Sequence, residues 1–166
     1  PLFLYTAPVM QALHDYLQNH PLIYITRDIE RALGLPLDTP GYFIIANFTP
    51  FANELVSDHK NVLLIKNERL LDTQELLQHE ETKKCISTHD KPHLLVFKNT
   101  SQIKRICEEN NWHLLNPDPT LGNHIEEKIT QLTFLPELQS LFPPYTVTTL
   151  SELAWNNEPT VLQFNH

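Results

Sequence analysis

An α/β fold on an open, mainly parallel sheet is what this sequence predicts, on three observations. Short apolar runs alternate with helical patterns from one end of the chain to the other. The middle runs are apolar on both faces, as strands covered by helices on both sides are. The chain is 166 residues long, 41% hydrophobic and 19% charged, enough for one domain with a real core and part of a second.

The predicted strands are LFLY (2–5), LIYIT (22–26), YFIIA (42–46), VLLIK (62–66), LLVF (94–97), HLL (113–115), YTVTT (145–149) and TVLQF (160–164). Those between 42 and 97 read as central. Thr6 can cap a first helix with Pro8 in its first turn and Val9, Met10, Leu13, Tyr16 and Leu17 on one face, ending before Pro21. Asp72 and Glu75 have capping-box spacing ahead of TQELLQHEETKK (73–84), read as one helix. Ser101 can cap QIKRICEENN (102–111), which buries Ile103, Ile106 and Cys107. Pro117 and Pro119 resist both helix and sheet, so a first domain of residues 1–115 is expected to give way at 116 to a second one, 116–166.

Charge and composition exclude several functions. A net charge of −8, with no cluster of Lys and Arg, argues against nucleic acid as a partner. No apolar run is long enough for a membrane span, and the start, which lacks Met, has no basic segment of a secretory signal. Cys85 and Cys107 form no CxxC and read as reduced thiols, so a cytoplasmic protein is expected. Gly34, Gly41 and Gly122, the 3 glycines, cannot form GxGxxG or a P-loop. VLLIKN ends in Lys66 and Asn67, where a phosphoacceptor fold needs an acid.

Nine histidines raise the question of a metal. His89 and His93 have helical ligand spacing, but Pro92 lies between them and no further ligand is fixed nearby, so they read as loop residues and no metal is assigned. No Ser, His and Asp set has recognisable spacing either, and no catalytic residue is assigned. The loop ANFTPFANE follows a strand, at the edge where open α/β sheets bind ligands, which makes Asn47, Thr49 and Asn53 candidate substrate contacts. Asn116, at a strand end before Pro117, either shapes the junction or approaches a ligand. Thr149 and Glu152 in TLSE read as the capping box of a short helix.

The predicted helix TLGNHIEEKITQLTFLPEL (120–138) places Leu121, Ile125, Ile129, Leu132 and Leu135 in a stripe roughly 120° wide, with Lys128 inside it. Such a lysine either snorkels to solvent or meets an anion. Gln163 either alternates outward on its strand or turns toward a ligand.

The succession of NP (116–117), Lys128, PPYTVT (143–148), SEL (151–153) and PTVLQ (159–163) resembles the start of an ATP-grasp domain, and the repeat before it resembles the Rossmann-like pre-ATP-grasp domain of such enzymes. The relevant group is the carbamoyl-phosphate-synthase and carboxylate–amine ligase type. The resemblance implies that Lys128 reaches the nucleotide phosphates and that Gln163 stands where a second phosphate-binding lysine is common, contributing an amide donor without charge. It further implies ATP and Mg2+ as cofactors of the intact protein. A small carboxylate would be activated as an acylphosphate for attack by an amine or other nucleophile, and a homodimer is compatible with this. A glycine-rich loop and acidic metal ligands are then expected beyond His166, so the 166 residues should be inactive alone and hold no nucleotide tightly. The competing expectation is a self-contained, non-catalytic ligand-binding or interaction module.

Overall fold

The computed structural model describes residues 7–134, 136–154 and 157–163. The chain divides into two compact units, Pro1–Pro117 and Asp118–His166. In the first, helix α1 (Ala7–Asn19) precedes β1 (Leu22–Ile25), β2 (Tyr42–Asn47), α2 (Pro50–Val56), β3 (Val62–Ile65), α3 (Thr73–Gln78), α4 (Glu80–Ser87), β4 (His93–Val96), α5 (Ser101–Glu109) and β5 (His113–Leu114), with a 3-10 turn at Ile29–Ala32. The strands form one sheet in the order β3-β2-β1-β4-β5, every pair parallel. This is an open, Rossmann-like α/β arrangement.

Strand alternation divides the core into two layers. Ile23, Ile25, Ile45, Ile65, Leu94 and Val96 face Leu76 and Leu77 of α3, Ile86 of α4, and Ile103, Ile106 and Cys107 of α5. Leu22, Tyr24, Tyr42, Ile44 and Ala46 face Leu17 of α1, the 3-10 turn, and Ala52 and Val56 of α2. β1, in the middle, is buried along its whole length. β3, expected among the central strands, is an edge strand. Its residues are apolar on both faces because α2 and α4 still pack on it. Gly41 sits at φ +77° where the chain enters β2, and a Cβ there would meet the carbonyl oxygen of Leu17 at 2.2 Å, so only glycine lets α1 lie this close.

Local signals fare unevenly. The Asp72–Glu75 capping box forms with both reciprocal hydrogen bonds, and the Arg69 guanidinium, bonded to Glu75, helps hold that carboxyl down to about 2. The helix expected over 73–84 breaks at His79 (φ −67°, ψ 137°), and the extended residue re-aims α4 so that Ile86 joins Leu76 and Leu77 in one cluster. Thr100, not Ser101, caps α5, its Oγ1 accepting from the amide of Ile103 at 3.2 Å. The LFLY run and the Thr6 cap lie outside the described residues.

In the second unit, Pro119–Glu126 (α6) and Lys128–Phe134 (α7) stand where one long helix was expected, and a 3-10 turn follows at Pro136–Leu141. Glu127, at ψ 126°, ends α6 and accepts from Thr130 Oγ1 in the next turn at 3.0 Å. Breaking the helix also breaks the apolar stripe: Leu121, Ile125 and Ile129 are 49%, 39% and 42% exposed. Leu135 lies outside the described residues. No strand forms among described residues 142–154 and 157–163, so YTVTT and the described part of TVLQF are not strands. Their side chains are exposed, and without a buried face or a pairing neighbour the β-branched pattern gains nothing from extension. TLSE makes a turn in place of a helix, with Thr149 Oγ1 donating to the Glu152 carboxylate at 2.7 Å.

Candidate functional site

Open parallel sheets bind ligands beyond the carboxyl ends of their strands, where the strand order reverses. The chain moves outward from β1 through β2 to β3, then crosses back to β4 on the other side of β1, so the reversal lies between β1 and β4. The loops that meet there are Thr26–Asp28 with the 3-10 turn, and Phe97–Thr100.

The β1 loop is pinned from below. Thr26, fully buried, donates its backbone N–H to Ile45 and its Oγ1 to the carbonyl of Asp28. Asn47 Nδ2 donates to the carbonyls of Arg27 and Leu71, both at 2.9 Å, and its Oδ1 accepts from Leu71 N–H. On this support the Asp28 carboxylate lies 3.7 Å from Arg27 Nε and 3.4 Å from Arg31 Nε. Arg31 continues across the reversal, its guanidinium carbon 4.0 Å from the ring centroid of Phe97 in the β4 loop. Phe97 is 61% exposed, which leaves a flat apolar ring open beside the guanidinium.

Two guanidiniums share the Asp28 carboxylate, and with Glu30 in the same turn the segment is formally neutral on a protein whose formal charge is −8. Beside them, Asn99 donates to the carbonyl of Pro117, while its own buried Oδ1 has no partner among the described residues. The arrangement offers planar, charge-assisted donors and a flat apolar ring, which suits a small molecule with a carboxylate or phosphate next to a planar group. It contains no nucleophile paired with a base.

The candidates from sequence lie elsewhere or are already occupied. Asn47 is at this edge but is buried, with its amide spent on the three bonds above. Thr49 caps α2 by accepting from Ala52 N–H at 2.9 Å, and Asn53 is exposed on that helix. Asn116 uses its amide as a further strand residue, accepting from Val96 N–H and donating to Val96 carbonyl beyond the end of β5. Lys128 opens α7 and is exposed, as is Gln163. An ammonium and an amide donor suit phosphate oxygens by their chemistry. His89 packs on Phe43, with ring centroids 4.1 Å apart, and His93 stacks instead with Tyr16. Among the described residues no three His, Cys, Asp or Glu side chains converge on a cation site.

Sequence reading missed Arg27, Asp28, Arg31 and Phe97. TRDIER after a buried strand was the available signal, but its partner loop lies some seventy residues on and only the strand order joins them. An open groove of about 530 Å3 lies at the amino ends of β2 and β3, lined by Phe43, Lys60, Lys84, Cys85 and His89. Burial pushes the Cys85 thiol up, which makes it a poor nucleophile, and the groove lies at the amino ends of its strands, opposite the edge where open parallel sheets bind ligands. The switch-point site is therefore the stronger candidate. Compared with known protein families, with curated proteins and with solved structures, the chain matches none.

Proposed function

We propose that the first unit binds a small carboxylate-bearing substrate at the β1–β4 reversal, on behalf of an ATP-grasp ligase that activates the carboxylate with Mg-ATP for attack by an amine or other nucleophile. One observation carries the reading: Arg31, tied to Asp28 and laid over Phe97, joins the two loops of the switch point with guanidinium donors turned to a carboxylate's chemistry. Resemblance adds the nucleotide side, with Lys128 and Gln163 as phosphate contacts in the second unit. ATP with Mg2+ would supply the phosphoryl group; the chain's own part is to hold the substrate anion and lend Lys128 as a charge near the phosphates.

The apolar residues left exposed in the second unit, Leu141 and Val161 at 76% and 83% among them, agree with a segment that needs more protein to cover it. A second reading, a binding module without catalysis, is favoured by the missing strands at 145–149 and 160–163. Thermal unfolding of the intact protein separates the two. Mg-ATP at about 100 times its dissociation constant should stabilise the ligase by about 2.7 kcal/mol, and Lys128→Ala should reduce that gain. A wild type indifferent to Mg-ATP at millimolar concentration would leave only the binding module. Arg31→Ala should remove stabilisation by small carboxylates while leaving the nucleotide response intact.

A further inference from the structure

At the amino edge of the sheet, away from the switch point, three imidazoles and a phenol meet. His93 opens β4 and His113 opens β5, and parallel register places them side by side with ring centroids 4.5 Å apart. Tyr16, in the last turn of α1, stacks on His93 at 5.8 Å with planes 9° apart, and Tyr16 Oη lies 3.3 Å from His93 Nδ1. His20, just past the helix, closes the group at 4.7 Å from Tyr16 and 5.1 Å from His93. One ring, His93, therefore touches the other three.

We propose that this cluster is an acid-sensitive latch: it holds the end of α1 against the β4–β5 edge while its imidazoles are neutral, and lets that end go when they gain protons. The hydrogen bond serves either state, since Nδ1 accepts from the tyrosine hydroxyl when it carries no proton and donates to the phenol oxygen when it does, so the acid response comes from repulsion between the rings. A second charge within about 5 Å of the first is opposed by Coulomb repulsion, and little is present to offset it. Among the described residues no carboxylate lies within ion-pairing distance of the three rings. From α1, Asp15 is engaged by Gln11. From α5, which packs on β5, Glu108 and Glu109 pair with Lys104 and Arg105 of their own helix. The register partner on β1 is the apolar Leu22. The loop into β4 adds Asp90 and Lys91, one charge of each sign.

Burial, then His113 and His20, hold His93 below its ordinary 6.5, consistent with a ring that resists the proton until acid forces it on. Release stays local, because Leu17, in the last turn of α1, is buried in the core layer beneath. Only the residues after Leu17, whose last backbone bond is His20 N–H to the Tyr16 carbonyl, fray.

Amide hydrogen exchange of residues 18–20 in the full chain tests this, with ring titrations of the three histidines by NMR alongside. Corrected for intrinsic rates, exchange should rise at least tenfold from pH 7.5 to 5.5. The double variant His20→Gln/His113→Gln changes two exposed positions and leaves the Tyr16–His93 bond in place. It should raise the His93 midpoint toward 6.5 and yet cut the exchange response at least fivefold, because the charge gained has lost its neighbours. Exchange that ignores pH in the wild type, or an undiminished response in the double variant, would overturn the latch.

Discussion

Helix α5 and the pair α6–α7 carry apolar residues at helical spacing, yet they end in opposite surroundings. Ile103, Ile106 and Cys107 of α5 are 3%, 3% and 1% exposed, and Leu121, Ile125 and Ile129 stand 49%, 39% and 42% exposed. α5 lies on a parallel sheet that offers Leu94 and Val96 to its apolar face; α6 and α7 have no sheet in their own unit among the described residues. An amphipathic pattern is a demand for a partner, and the stability it brings arrives only with that partner.

Truncation tests this contrast most sharply. Leu76→Ala, at a fully buried position, should cost about 3 kcal/mol in urea unfolding, and Ile125→Ala less than about 1 kcal/mol. Equal losses would mean that the second unit has a core after all. Asn47→Ala should follow at about 2 kcal/mol, since it strands the buried N–H of Leu71 and leaves the carbonyls of Arg27 and Leu71 short of a donor. Thr100→Ala removes the cap of a helix that is packed, and about 1 kcal/mol should go with it. Thr149→Ala, in a turn of the second unit, should leave the unfolding midpoint unmoved. A separate effect is one of pH. Burial lowers both His89 and His93, so the folded chain binds fewer protons than the unfolded one just below neutrality. Stability should be full above about pH 7 and decline as the pH falls through 6.5 toward the lowered values, in denaturation curves taken at pH 7.5 and 5.5. A rise on acidification would contradict the neutral packing of these rings.

Some of this was written locally. The capping box at Asp72 and Glu75 needs only a three-residue spacing and one turn of helix, and it forms as read. The neighbouring hydroxyls of Thr100 and Ser101 both suit a cap, and the backbone turns helical one residue earlier than expected. The break at His79 answers to where Ile86 must pack, which no window around His79 contains. Lys128 shows the same gap: its place in an apolar stripe holds only if the helix runs through Glu127, and the helix instead ends there, with Lys128 opening a new one.

The sequence by itself determined the periodicities, and with them an α/β fold with parallel strands, two-sided burial and a few helix ends such as the Asp72 cap, because these depend on side-chain spacing and bonds within one turn. Tertiary structure alone decided that β1 is the centre, that β3 is an edge, and that Arg31 meets Phe97 while His93 meets Tyr16, His20 and His113. Those neighbours are chosen by the summed burial of a whole sheet and its two layers of helices, a sum no single stretch of chain carries.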